Sequence, residues 1–316
     1  MSRISDHAVA ALEAGLPPGG LARDVVLAPY TTFRIGGPAD LFHEPRTEEE
    51  LATSLRLARE LELPHFLLGS GANILIGDRG FRGLVIRNRA AAIEFLGDGR
   101  VRAESGAVVY HDLIQATVAR GLGGLHHFVG IPSTVGGAIW QNLHFLSPPP
   151  ERERTVFIEE VVEGAKILSA EGEVREVPRD YFQFGYDYSI LHDRPDVVLS
   201  VTFQLRPTSE GELRDTIREN LRWRDDRHPD LWLYPSAGSI FQKLEGVGAG
   251  RLIDQCGLKG HVLGSAQIFH KHANIIVNLG GATALEIREL IELARSTVER
   301  ELGHELKPEI GFVGEF

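Results

Sequence analysis

Cysteine is nearly absent: Cys256 is the one thiol in 316 residues. A disulfide framework or a cysteine-based zinc site needs at least two thiols from the chain, so both are excluded and Cys256 reads as core packing. Long apolar runs are missing as well. No segment approaches the roughly 18 uninterrupted apolar residues of a membrane helix. Residues 1–6 carry neither the basic start nor the apolar stretch of a signal peptide. The expectation is a cytoplasmic protein without membrane insertion. Positive charge is scarce, with 33 Lys and Arg against 44 Asp and Glu, a net charge of −11 and no basic block. An electrostatic search for nucleic acid is therefore not expected. Lysine is scarcest of all: Lys166, Lys243, Lys259, Lys271 and Lys307 are the only five, and four fall in the last 74 residues. Any anionic ligand must be met by local charge.

Glycine, in contrast, is abundant. Its 35 residues are roughly 11% of the chain against a usual value of about 7%, and the excess is clustered, which points to loops built from backbone. A hydrophobic fraction of 43% with 24% charged residues suits two or three globular domains. Residues 5–16 predict a short amphipathic helix, followed by the loose lead-in Pro17-Pro18-Gly19-Gly20. The body is expected from near Tyr30. Thr47 and Glu50 have capping-box spacing before a helix with Leu51, Leu55, Ala58 and Leu61 on one face. Strand-like runs at 65–68, 73–76 and 84–86 complete a first α/β unit, 25–88, after a lead-in of 1–24. A second unit, 89–206, has a helix near 109–120, a hairpin at Ala170-Glu171-Gly172 and an alternating run at 197–205. The third, 207–316, begins with a helix carrying Leu213, Ile217 and Leu221. It ends with a long helix that Thr283 and Glu286 start and Gly303 stops.

Two glycine loops stand out. Gly69-Ser70-Gly71-Ala72-Asn73 follows an apolar strand, where a bend of small residues can aim several N–H groups at a phosphate. The dinucleotide fingerprint fails here, because Ile74 stands where a third glycine or alanine belongs, and no Walker A pattern occurs. Read alone, this loop is equally compatible with a tight turn between strands. The second is Gly130-Ile131-Pro132-Ser133-Thr134-Val135-Gly136-Gly137-Ala138, preceded by Gly121-Leu122-Gly123-Gly124. So much glycine carries an entropic cost, which suggests close backbone approach to a ligand, and two such loops could grip a pyrophosphate.

These loops, with Thr31-Thr32-Phe33, Ile35-Gly36-Gly37, Gln141-Asn142, Phe184-Gly185-Tyr186-x-x-Ser189, Ala237-Gly238-Ser239-x-Phe241, Ala249-Gly250-x-Leu252-Ile253-Asp254, Gly257-Leu258-Lys259-Gly260, Lys271-His272-Ala273-Asn274 and Pro308-Glu309, stand in one order. In that order they resemble the UDP-N-acetylenolpyruvoylglucosamine reductase family, over about residues 31–314. The chain looks most like its shorter, type II branch. The resemblance implies an α+β chain with a two-subdomain FAD-binding fold of the vanillyl-alcohol-oxidase/p-cresol-methylhydroxylase type and a C-terminal α+β substrate domain. It implies noncovalent FAD, NADPH as hydride donor, a UDP-sugar substrate and a role in peptidoglycan precursor synthesis. FAD is expected on Gly69, Ser70, Gly71, Ala72, Asn73 and Ile74, on residues 130–138 as quoted above, and on Asn142.

For the chemistry, the resemblance implies that Ser239 donates a proton to substrate and that Glu309 helps hold the developing enolate. On their own, a turn serine and a solvated loop carboxylate would explain these two positions as well. Tyr186, Arg194, Arg227, Lys243, Lys259 and His272 are the candidate substrate contacts. No metal is expected: neither His126-His127 nor His270-Lys271-His272 has a carboxylate at ligand spacing.

Three departures from the family pattern stand out. Leu143-His144-Phe145 replaces a small glycine-containing stretch after Asn142. Gln242 stands where a lysine is usual, with Lys243 one place later. The Tyr-Arg-x-Ser element, which in the family carries a catalytic arginine, reads Tyr186-Asp187-Tyr188-Ser189. Asp187 is therefore expected to point away from the flavin, with Arg194 or Lys243 supplying the missing cation. Two other functions stay open: a sugar oxidase of the same fold, and a non-catalytic homologue that binds FAD or UDP-sugar.

Overall fold

The computed structural model describes residues 4–148, 152–244 and 246–316. The chain forms two compact units, one of Met1–Ala22, Phe42–Ser70 and Val85–Trp223, the other of Arg23–Leu41, Gly71–Leu84 and Arg224–Phe316. Strands Leu21–Val26, Pro38–His43, Phe81–Arg87 and His65–Leu68 follow one another in a four-stranded sheet.

The first unit is built on an antiparallel sheet in the order Val174–Pro178, Val162–Leu168, Val197–Gln204, Arg100–Glu104, Ile93–Gly97. Its central strand has six consecutive buried residues, 198–203, because the sheet flanks it and helices Glu48–Glu60 and Val135–Trp140 pack on it. The helix Glu48–Glu60 starts where the Thr47 hydroxyl accepts from the Glu50 N–H at 3.2 Å, and it buries Leu51, Leu55 and Ala58. Only half of the expected capping box forms. The Glu50 carboxylate takes the Arg46 N–H at 2.7 Å instead of that of Thr47. Lys166, the one lysine outside the C-terminal group, pairs with Glu48, whose other oxygen accepts from Ser200 at 3.1 Å. The helix is thereby pinned to the sheet. The helix expected near 109–120 is a π-helical segment, Val109–Ile114, followed by an α-helical turn, Gln115–Val118.

In the second unit, helix Ala284–Leu302 covers the sheet Val262–Leu263, Ala266–Ile268, Ile276–Asn278. Both ends of this helix follow the local rules. Thr283 and Glu286 form a complete capping box, and Gly303 closes the last turn at φ +70°. Ile287, Leu290, Ile291 and Val298 join Phe33, Leu75, Phe241 and Ile253 in one core. Strand Gly311–Val313 lies parallel to Ile74–Ile76, so the C-terminus returns beside the first glycine loop.

Candidate active site

The first loop needs its glycines. A β-carbon on Gly69 would lie 2.6 Å from the Thr134 hydroxyl, and one on Gly71, at φ +60°, would lie 2.4 Å from the Tyr30 carbonyl. Both distances are below any tolerable contact. Gly69 thus allows the first loop to touch the second, because Thr134 caps helix Val135–Trp140 by accepting from the Gly137 N–H at 3.3 Å. The second loop is stitched to its neighbours by Val109 N–H to Ser133 O (2.9 Å), Val135 N–H to Ala107 O (2.8 Å) and Gly136 N–H to Ser105 O (2.8 Å). Among the described residues, nothing accepts from the backbone N–H groups of Ser70, Gly71, Ala72 or Ser133. Unspent N–H groups on a loop whose Gly71 has no β-carbon fit a phosphate. Ile74 is used differently, as the first residue of the strand paired with Gly311. Asn142 is fully buried at φ +48°, with its amide donating to Gly185 O at 2.9 Å and to Glu159 at 3.3 Å.

In the second unit, residues 239–242 run as a short extended segment between two others. Ser239 bridges Ile275 on one side, and Phe241 bridges Pro308 on the other. Asn274 organises the first side. Its backbone carbonyl accepts from Ile240 N–H at 2.8 Å, its side-chain oxygen accepts from Phe241 N–H at 3.0 Å, and its amide returns a bond to Phe241 O at 2.8 Å. On the second side, Glu309 N–H donates to Ile240 O at 2.8 Å and Gln242 N–H to Lys307 O at 2.9 Å. This register places Glu309 across from the residue next to Ser239. Asn73 reaches the same place, since its amide donates to Glu309 O at 3.4 Å and its carbonyl accepts from Gly311 N–H at 2.9 Å. A loop expected to bind cofactor is thus hydrogen-bonded to the segment that carries Glu309.

The comparisons with known proteins agree with this layout. Residues 39–178 match the family model of an FAD binding domain, and residues 229–313 match that of the UDP-N-acetylenolpyruvoylglucosamine reductase C-terminal domain. The UDP-N-acetylenolpyruvoylglucosamine reductase of Moorella thermoacetica is 39% identical over 92% of each chain. That of Agathobacter rectalis is 35% identical over 95% of this chain and 96% of its own. The chain belongs to the UDP-N-acetylenolpyruvoylglucosamine reductase family. A crystal structure of the Thermus caldophilus reductase superimposes with a TM-score of 0.76 at 31% identity, covering 92% of this chain and 97% of that one. The FAD-binding domain and the C-terminal reductase domain make this protein an FAD-dependent oxidoreductase with the α+β architecture that the resemblance implied.

Arg194 lies on Tyr181, its guanidinium 3.4 Å from the hydroxyl and 5.6 Å from the ring centroid, with Asp196 and Glu171 nearby. The groups whose charge acts on Asp187 are His144 and His192. Asp187 turns inward with only 5% of its side chain exposed, 3.6 Å from His144 Nδ1. Burial raises its pKa, and the His144 charge opposes that rise. Sequence reasoning missed His144 as its partner.

Around the second unit's site, His272 is half-buried. Its Nδ1 accepts from Asn274 N–H at 3.3 Å, and its ring lies 5.8 Å from that of His228. Burial, the Arg224 charge and His272 together pull His228 down to about 3, so it is a neutral imidazole. Burial also brings Arg224 down to about 10. Lys259 is paired with Asp254 at 2.7 Å, Lys243 is exposed, and Arg227 is exposed 3.9 Å from Asp226. His126 and His127 belong to the interior of the first unit. Gly124 N–H donates to His126 Nδ1 at 3.1 Å, and His127 lies between Leu146 O and the Asn220 amide. Among the described residues, no cluster of His, Cys, Asp or Glu could hold a metal ion, and no helix is long and apolar enough to cross a membrane.

Proposed function

We propose that this protein reduces UDP-N-acetylglucosamine enolpyruvate to UDP-N-acetylmuramate at the expense of NADPH, as a cytoplasmic step of peptidoglycan precursor synthesis. The observation that supports the reading is the register that pairs Glu309 with Ile240, the residue after Ser239, in a chain whose other part is an FAD-binding domain. In this proposal residues 25–88 and 89–206 hold FAD and residues 207–316 hold the UDP-sugar.

Saturating an enol ether needs a hydride at the methylene carbon, a proton at its neighbour and stabilisation of the charge that builds on the adjoining carboxylate. When bound, FAD supplies the hydride that it has taken from NADPH. The loops 69–74 and 130–138, with Asn142, would hold FAD, their backbone N–H groups serving its pyrophosphate. Ser239 Oγ–H delivers the proton, and its segment is held by the hydrogen bonds of Asn274 to Ile240 and Phe241. Glu309 holds the enolate through a shared proton. Tyr186, Arg227, Lys243, Lys259 and His272 are proposed as substrate contacts. For Lys259 this means exchanging Asp254 for a substrate oxygen.

The test begins with the visible spectrum of the purified protein. A flavin spectrum that bleaches with NADPH and returns on adding the enolpyruvyl substrate without oxygen is the expected result. Return with oxygen alone identifies an oxidase, and bleaching with no return identifies a binding protein without turnover.

A further inference from the structure

Two of the places where the chain leaves the family pattern meet in space. His144 Nδ1 lies 3.3 Å from Asn142 O and 3.6 Å from Asp187 Oδ1, so this nitrogen is held between two oxygens and carries the proton. Gln141 reaches the same carboxylate, and His192 acts on it from the short helix beyond. Asp187 Oδ2 and Asn142 Oδ1 are buried and find no hydrogen-bond partner among the described residues. Both residues are left-handed, at φ +52° and +48°, a conformation that favours glycine. Asn142 also donates to Gly185 O, and Gly185 bridges Tyr188 to form the bend that presents Tyr186 and Asp187. Strained backbone and a carboxylate buried against an imidazole are less stable than an apolar contact of the same size would be. They need a purpose.

The imidazole supplies one. The Tyr186 ring packs on it at 4.6 Å between centroids, Phe157 packs at 5.3 Å, and Tyr186 itself is 50% exposed. We propose that His144, its ring fixed by Asp187, is a positioning residue that sets the Tyr186 ring for binding the enolpyruvyl substrate. The inference rests on the function proposed above. It gives the unusual Asp187 a role through His144 rather than through the substrate.

The experiment compares wild type with His144→Ala, Asp187→Ala, Asp187→Asn and the double variant His144→Ala/Asp187→Ala. NADPH reduction of the flavin and its anaerobic reoxidation by substrate are followed separately, and UDP-N-acetylmuramate binding is measured by calorimetry. Because a misplacement of about 1 Å can slow a reaction on the order of 100-fold, His144→Ala should slow reoxidation by at least about tenfold. It should also weaken product binding and leave reduction by NADPH within about twofold. Asp187→Asn, which keeps an acceptor for Nδ1–H, should lose less than Asp187→Ala. The double variant should be no slower than His144→Ala, since Asp187 acts through that ring. If His144→Ala melts without cooperativity, His144→Gln replaces it and should show the same loss, because the ring is gone. Wild-type reoxidation and binding in these variants would overturn the proposal, as would equal slowing of both half-reactions or additive losses in the double variant. A wild type that substrate does not reoxidise at all overturns the functional reading first, and the positioning role with it.

Discussion

Gly69 approaches Thr134 so closely that a β-carbon on the glycine would stand 2.6 Å from the threonine hydroxyl. The two glycine loops are therefore one construction. Gly69→Ala must push Thr134 away, and Thr134 is the cap of helix Val135–Trp140. FAD affinity should fall by at least about tenfold, the equivalent of 1.4 kcal/mol. Thr134→Ala removes the clashing hydroxyl, so it should restore part of that loss when combined with Gly69→Ala. Flavin titration of the apoproteins measures both. A Gly69→Ala protein with wild-type affinity would show that the contact between the loops has no part in holding FAD.

Ser239→Ala separates the two halves of the reaction. Its neighbours are tied by backbone bonds to Asn274, Lys307 and Glu309, so removing one hydroxyl should leave the segment in place. Flavin reduction by NADPH should be intact. Reoxidation by substrate should slow by about 10² to 10⁴, the usual contribution of a general acid. Equal slowing of both steps in stopped-flow traces would mean that Ser239 shapes the flavin site instead of protonating substrate.

The long C-terminal helix has a second cap that its own sequence does not reveal. Asp78 accepts from Ala284 N–H at 2.8 Å and from Leu285 N–H at 3.1 Å. Asp78→Ala should destabilise the protein by about 1 kcal/mol, within the range of 0.5–2 kcal/mol for losing a cap. Asp78→Asn, which keeps one acceptor, should lose less. Urea midpoints of the two variants against wild type decide this.

What could be read from the sequence follows how local each cause is. Thr283, Glu286 and Gly303 lie within or beside the helix they define, and the structure agrees with them at both ends. The box at Thr47 was half right because the Arg46 N–H, a competitor one residue earlier, takes the Glu50 carboxylate. The segments that carry Ser239 and Glu309 pair through an antiparallel register between distant parts of the chain, and no spacing rule reports such a pairing. Only the ordered motifs of the family pointed to them. The pairs His144–Asp187 and Lys166–Glu48 have the same non-local character. The adjacent histidines His126 and His127 look like ligands in one dimension, but the fold turns them into interior hydrogen-bonding groups.

Those interior histidines should make stability depend on pH. His126 is 5% exposed, and its Nδ1 accepts from Gly124 N–H, so protonation would replace an acceptor with a donor facing a donor. Burial, with the charges of His127 and Arg206, brings it down to about 4 from an ordinary value of 6.5. The folded state thus resists a proton that the unfolded chain accepts, and between about 6.5 and about 4 the unfolded state binds more protons. Stability is therefore fully present above the ordinary value and falls as the solution is made more acidic. From pH 7 to pH 5 the His126 contribution amounts to about 2 kcal/mol, at 1.36 kcal/mol per pH unit of separation. His126→Asn keeps an acceptor but cannot titrate, so its urea stability should fall less steeply over this range. The comparison is best made above pH 5, before the carboxylates begin to protonate. Parallel curves for wild type and variant would show that the His126 ring is not held neutral by the fold.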